Sequence, residues 1–243
     1  RDSTTTPAAG KQQQCWLHAV GGSLVTDFVG DAMVNAANEG CVTGFGIDGA
    51  INKEGGYSLL QARKQLNGCP TGSAKTTESF GLAGRVSYII HAVGPVYRSN
   101  KRKTAVFSLL NDEASDDKRD QAEDNWKEED ELLKSAYRSA LQRAAESDCR
   151  TVGFCLLSAG VFRGDRTLED IVELGVDALL SAPETLLRDM TSICLFAYTE
   201  EERECLEHIM NRKRREMAQM EPKTINNEEL ARDDGKVTPT NSS

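Results

Sequence analysis

The sequence is poor in the residues that build metal sites and redox pairs: three histidines in 243 residues, and seven cysteines with no CxxC pair among them. His18, His91 and His208 show no ligand spacing, so a zinc site is not expected and any hydrolysis should run on water without a metal or other cofactor. Cys15, Cys41, Cys69, Cys149, Cys155, Cys194 and Cys205 are odd in number and scattered, which favours a reducing, intracellular compartment over a disulfide framework. Several sit in apolar runs such as Phe154-Cys155-Leu156-Leu157, where cysteine acts as a small hydrophobe. No apolar run approaches the roughly 20 residues of a membrane span, so a membrane partner is excluded. The formal net charge of −9 makes nucleic acid an unfavourable partner, and an anionic ligand must be held by local groups such as backbone amides. The chain begins at Arg1 rather than Met, as expected of a trimmed or processed product.

What is present is apolar sequence in two blocks, Trp16 to Ala92 and Leu132 to Tyr198, with charged sequence between and after them. Residues 1–14 are polar and predict a flexible leader. The folded domain is expected over 15–198, with a charged insertion at about 98–131. A charged helix and disordered tail should fill 199–243. The insertion holds one apolar patch, Val106 to Leu110, read as solvated loop or docking turn. Thr199 and Glu202 are spaced as a capping box, and Arg212 to Arg215 form a basic run that suits a solvated helix face, a nuclear signal or an anion contact. Short apolar runs bounded by turn residues predict four central strands: Ala32 to Asn35, Val86 to Val93, Thr151 to Leu157 and Ser192 to Tyr198. Helical spacing predicts one helix from about Asp130 to Glu146 and another after Asp165, where Thr167 and Asp170 form a capping pair. Strands alternating with helices point to a three-layer α/β/α sandwich with a mixed, largely parallel sheet.

In such sheets ligands bind beyond the carboxyl ends of the strands. The residues there are Asn35-Ala36-Ala37-Asn38, Gly94-Pro95, Ser158 to Phe162, and Tyr198: amides, small residues and an aromatic, suited to a ligand with phosphates, a sugar and a flat base. A glycine-rich turn, Gly44 to Ile51, follows the first and opens a helix. Glycines let backbone N–H groups approach an anion, and the helix dipole favours it. His91 follows a strand within apolar sequence and reads as a packed histidine rather than a catalytic one.

In combination and in this order, Val34-Asn35-Ala36-Ala37-Asn38, Gly44 to Ile51, Cys69 to Lys75 with Ile90 to Pro95, and Ser158 to Phe162 resemble the macrodomain family, MacroD-like branch. The resemblance runs from about Gly22 to Tyr198. It implies an ADP-ribose-binding hydrolase that removes the acetyl group of O-acetyl-ADP-ribose and mono-ADP-ribose from Asp or Glu of modified proteins, acting as a monomer. It implies that Asn38 orients the distal ribose and that Asp48 positions or deprotonates the attacking water, a role an ionised carboxylate can fill. It assigns the pyrophosphate to Gly44, Gly46 and Ile47 on one side and Ser158, Gly160, Val161 and Phe162 on the other. Asn35 and Ala36 complete the binding set, and Tyr198 falls where an aromatic stacks on adenine.

Asp48 has a second reading as a helix cap, Phe162 as core packing and Tyr198 as packing under the next helix. The sequence departs from the family pattern at Ser23, where an adenine-binding Asp is common, at Phe45 in place of a third glycine, and at Arg163. The alternatives to a hydrolase are a non-catalytic ADP-ribose reader and a scaffold whose charged segments recruit partners.

Overall fold

A computed structural model describes residues 16–97 and 126–220. Six strands form one sheet: β1 (Trp16–Gly21), β2 (Ala32–Ala36), β3 (Ala74–Glu78), β4 (Tyr88–Ala92), β5 (Thr151–Cys155) and β6 (Ser192–Ala197). Their order is β1-β6-β5-β2-β4-β3. All pairs are parallel except β3 with β4. The four strands expected from apolar runs are β2, β4, β5 and β6, the interior of the sheet. The two not expected, β1 and β3, are its edges. Ala-Lys-Thr-Thr-Glu in β3 has no apolar run to detect, because an edge strand is not covered on both faces.

The helices are α1 (Leu24–Asp27), α2 (Ile47–Gln65), α3 (Lys127–Glu146), α4 (Leu168–Leu180), α5 (Glu184–Leu187) and α6 (Glu200–Met220). They cover both faces of the sheet. A Cβ at Gly153 of β5 would meet Leu24 and Phe28, in and just after α1, while the ring of the next residue, Phe154, stacks on Tyr137 of α3 at 5.8 Å. Neighbouring strand residues point to opposite faces, so α1 and α3 lie on opposite sides and the three-layer arrangement follows. The α3 face holds Leu133, Ala136, Tyr137, Ala140, Leu141 and Ala144, all buried and at the predicted spacing. In α4 the Thr167 hydroxyl accepts from the Asp170 N–H at 3.1 Å, as the capping pair requires.

Two boundaries differ from the sequence reading. Helix α3 starts at Lys127, inside the segment read as insertion. Its first turn carries Glu128, Glu129 and Asp130, acidic residues that the helix dipole favours there. The charged helix α6 begins with the expected capping box, the Glu202 N–H donating to Thr199 Oγ1 and the Thr199 N–H to Glu202 Oε2, both at 3.1 Å. Its Leu206, Ile209 and Met210 are buried in the core, so one compact unit runs through Met210. The leader, the Val106 to Leu110 patch and the tail beyond Met220 lie outside the described residues. No described helix is long and apolar enough to cross a membrane.

Candidate functional site

Beyond the carboxyl ends of β2, β5 and β6 lies a cavity of about 730 Å³. That is within the range of sites for cofactor-sized molecules. One wall is the loop Thr43 to Ile47 with the start of α2, the opposite wall is Ser158 to Phe162, and Leu24, Val25, Phe196, Tyr198 and Glu202 enclose one end. Of the twelve residues singled out from the sequence, all but Asn35 line this cavity. Its lining includes no Lys, Arg or His, and its two charged residues are Asp48 and Glu202. A phosphate here is therefore left to backbone amides and to the N-terminus of α2. Gly46 makes that terminus possible: it is the N-cap, with φ 60° and ψ −132°, a conformation side chains disfavour.

Asp48 is 2 % exposed. Its Oδ1 takes two charge-assisted bonds, from Arg63 Nη1 at 2.6 Å and from Asn35 Nδ2 at 2.6 Å. Its side-chain bonds go to Arg63 and Asn35 and none to a backbone N–H of α2, whose N-cap is Gly46, so the capping reading of Asp48 does not describe the fold. Oδ2 is buried without a partner among the described residues and lies against Gly44. Asn38 is half-buried at the rim. Its Oδ1 accepts from the Cys41 N–H at 3.1 Å and its Nδ2 donates to the Thr43 carbonyl at 2.8 Å.

Asn35 corrects the sequence reading. It is fully buried and stands behind the cavity, where its amide nitrogen donates both to Asp48 and to His91 Nδ1 at 3.1 Å. The carboxylate fixes the orientation of this amide, since an oxygen facing Asp48 would be repelled. With Nδ1 accepting, His91 carries its proton on Nε2 and donates to Thr77 Oγ1 at 3.0 Å. Burial, then the nearby Arg63 charge, holds the imidazole down to about 3, so His91 is neutral at physiological pH and does not line the cavity. It is the packed histidine expected.

Four features of the site were not singled out from the sequence. Arg63 sits in Gln-Ala-Arg-Lys-Gln, a polar stretch that no motif marks, and its side chain is 0 % exposed. Glu202 appeared only as a capping residue, and its Oε2 also accepts from the Tyr198 N–H at 2.8 Å while the residue lines the cavity. Cys155 lines it too. Burial pushes its thiol up to about 12, so it offers no thiolate nucleophile at neutral pH. Finally, the Ser158 to Phe162 loop is anchored from outside. The Tyr97 N–H donates to the Phe162 carbonyl at 2.8 Å, and Arg166, stacked 4.9 Å from the Trp126 ring, pairs with Asp130 at 2.9 Å.

At the mouth Phe45 and Val161 are 99 % and 93 % exposed, one on each wall, and Tyr198 is also exposed. The Ser158 hydroxyl is engaged with the Pro95 carbonyl at 2.8 Å, leaving its amide as the group for a ligand. Arg163 is not part of the lining. Among the described residues no group of three His, Cys, Asp or Glu is placed to hold a metal.

The comparisons with known proteins bear on the family and the fold. A macro domain-containing protein of Ralstonia nicotianae is 38 % identical over 138 residues, covering 57 % of this chain and 65 % of that protein. The ADP-ribose glycohydrolase MACROD2 of Xenopus laevis is 35 % identical over 138 residues, which is 57 % of this chain but only 27 % of that one. The Trypanosoma brucei macrodomain in complex with ADP-ribose superposes with a TM-score of 0.58 at 27 % identity, covering 79 % of this chain and 69 % of that one. The family model for the macro domain matches residues 34–112 and 120–168, from the strand that bears Asn35 to the first residue of α4, and the chain belongs to the macro domain family.

Proposed function

We propose that this chain binds ADP-ribose in the cavity above β2, β5 and β6 and hydrolyses ester bonds at the distal ribose, in the manner of the MacroD-like branch. The observation that carries the proposal is the Asp48 carboxylate: buried, locked through Oδ1, with Oδ2 unpaired among the described residues and packed against the cavity-lining Gly44. The pyrophosphate rests on the amides of Gly44, Gly46 and Ile47 and of Ser158, Gly160, Val161 and Phe162. The adenine lies at the end walled by Phe196 and Tyr198. Asn38 and Asp48 face the distal ribose, and Asp48 Oδ2 accepts a hydrogen bond from the attacking water. Water adds to the ester carbonyl, the ester C–O bond breaks, and the ribose oxygen leaves with a proton. The substrates are O-acetyl-ADP-ribose and proteins mono-ADP-ribosylated on Asp or Glu, inside the cell.

The test is a thermal-shift titration with ADP-ribose together with release of acetate or ADP-ribose from these substrates. Binding raises the melting temperature in proportion to ligand over Kd. Turnover by the wild type that is lost in the Asn38→Ala plus Asp48→Ala double variant supports the proposal. No turnover by the wild type, or full turnover by the double variant, refutes it. A non-catalytic reader is the second reading, favoured by the Asn38 amide, whose two ends are already engaged within its own loop. Tight calorimetric binding with inert substrates would select it.

A further inference from the structure

The Asp48 carboxylate and the Asn38 amide reach the cavity from two different pieces of backbone, the first turn of α2 and the loop after β2. One buried side chain ties them together. Arg63, near the far end of α2, sends Nη1 to Asp48 Oδ1 at 2.6 Å and to Asn52 Oδ1 at 2.7 Å, and Nε to the Cys41 carbonyl at 3.0 Å. Asn52 in turn donates to the Val42 carbonyl at 3.0 Å. The turn held by these bonds, 41–43, is the one whose backbone clamps Asn38, through the Cys41 N–H and the Thr43 carbonyl.

We propose that Arg63 is the positioning residue of this site: its guanidinium fixes the Asp48 carboxylate with Oδ2 against Gly44 of the cavity wall and sets the turn that orients the Asn38 amide. The inference rests on the roles proposed above for Asn38 and Asp48. It requires the planar fork of arginine, because three acceptors, two on α2 and one on the turn after β2, are met by two nitrogens of one rigid group. A lysine keeps the charge but presents a single compact ammonium, which cannot reach the same acceptors in the same plane.

The experiment compares Arg63→Lys with the wild type by turnover of O-acetyl-ADP-ribose, by calorimetric affinity for ADP-ribose, and by the side-chain amide 15N–1H signals of Asn35 and Asn38. A displacement of about 1 Å in a reacting group costs on the order of a hundredfold in rate, so kcat should fall by about that factor. The affinity, carried by the loop amides, should stay within about threefold. Both amide signals should move. A folded Arg63→Lys variant with wild-type kcat overturns the inference, and so does one in which the Asn38 signal stays where it was. If the wild type binds ADP-ribose but turns nothing over, the hydrolase proposal has failed and the amide signals alone decide the role of Arg63. If Arg63→Lys does not fold, Asn52→Leu releases one tie to the turn while keeping the Arg63–Asp48 pair. The Asn38 signal should then move while that of Asn35 stays, and an unmoved Asn38 overturns the inference.

Discussion

Gly44→Ala should separate catalysis from binding. A Cβ at Gly44 lies 2.5 Å from Asp48 Oδ2 and 3.3 Å from both Cβ and Cγ of the same side chain. Gly44 is not among the residues with positive φ, so alanine meets no backbone strain there. Ordinary contact begins at 3.4 Å. Oδ2 must therefore retreat by about 0.9 Å, and the rest of the carboxylate cannot simply follow, because a close-packed site resists even one added methyl group. The bonds of Oδ1 to Arg63 and Asn35, both 2.6 Å, oppose its rotation. A displacement near 1 Å at the reacting group costs on the order of a hundredfold in rate, or about 2.7 kcal/mol of activation free energy. The assay is kcat for acetate release from O-acetyl-ADP-ribose, alongside calorimetric affinity for ADP-ribose and a melting curve. Affinity should change far less than kcat, since the pyrophosphate is assigned to the Gly44 amide and not to its α-carbon. Gly84→Ala is the control: its added Cβ meets nothing within 4 Å, and the stability change should stay within about 0.5 kcal/mol. Full turnover by Gly44→Ala would refute the role given to Oδ2, as would a loss of turnover matched by an equal loss of affinity.

Tyr198→Ala should weaken ADP-ribose binding by about 1–3 kcal/mol, the usual worth of stacking a base on an aromatic, and unchanged calorimetric affinity would show that the exposed ring does not meet adenine. Tyr137→Phe should cost about 1–3 kcal/mol in urea unfolding, because the buried Leu157 N–H that donates to the tyrosine oxygen at 2.9 Å loses its acceptor. His91 links stability to acid: burial first, then Arg63, lowers its folded value from 6.5 to about 3, so the folded protein binds this proton less readily than the unfolded chain. Its contribution is intact above pH 6.5 and is lost as pH falls from there toward 3, by about 1.4 kcal/mol per pH unit. Urea unfolding of the wild type and His91→Gln at pH 7 and pH 5 should show the wild type losing about 2 kcal/mol more than the variant over that interval. Parallel losses would contradict the neutral histidine.

Much of the fold is written in local pattern. Central strands must be apolar on both faces, so β2, β4, β5 and β6 stand out as continuous runs. Helix α3 displays its buried face at helical spacing, and the pairs Thr167 with Asp170 and Thr199 with Glu202 mark helix starts whose bonds the structure contains. The loops after those strands carry small residues, amides and glycines in an order that points to one ligand site, and the family follows from their combination. Edge strands escape this logic because water covers part of them, as β3 illustrates.

The sequence by itself therefore determined the layer order, the location of the cavity and the residue types around it. Only the tertiary structure decided how those residues divide between facing the ligand and holding each other. Asn35 and Asn38 stand three positions apart in one motif, yet the first is sealed behind the cavity as a donor to Asp48 and His91 while the second lies at the rim. No motif marks Arg63, and only the packing of α2 sets it against the loop after β2, 22 residues earlier in the chain. Such assignments depend on long-range contacts and on the desolvation they impose: a buried ion must find its partners wherever the fold brings them, and local sequence spacing does not encode that meeting.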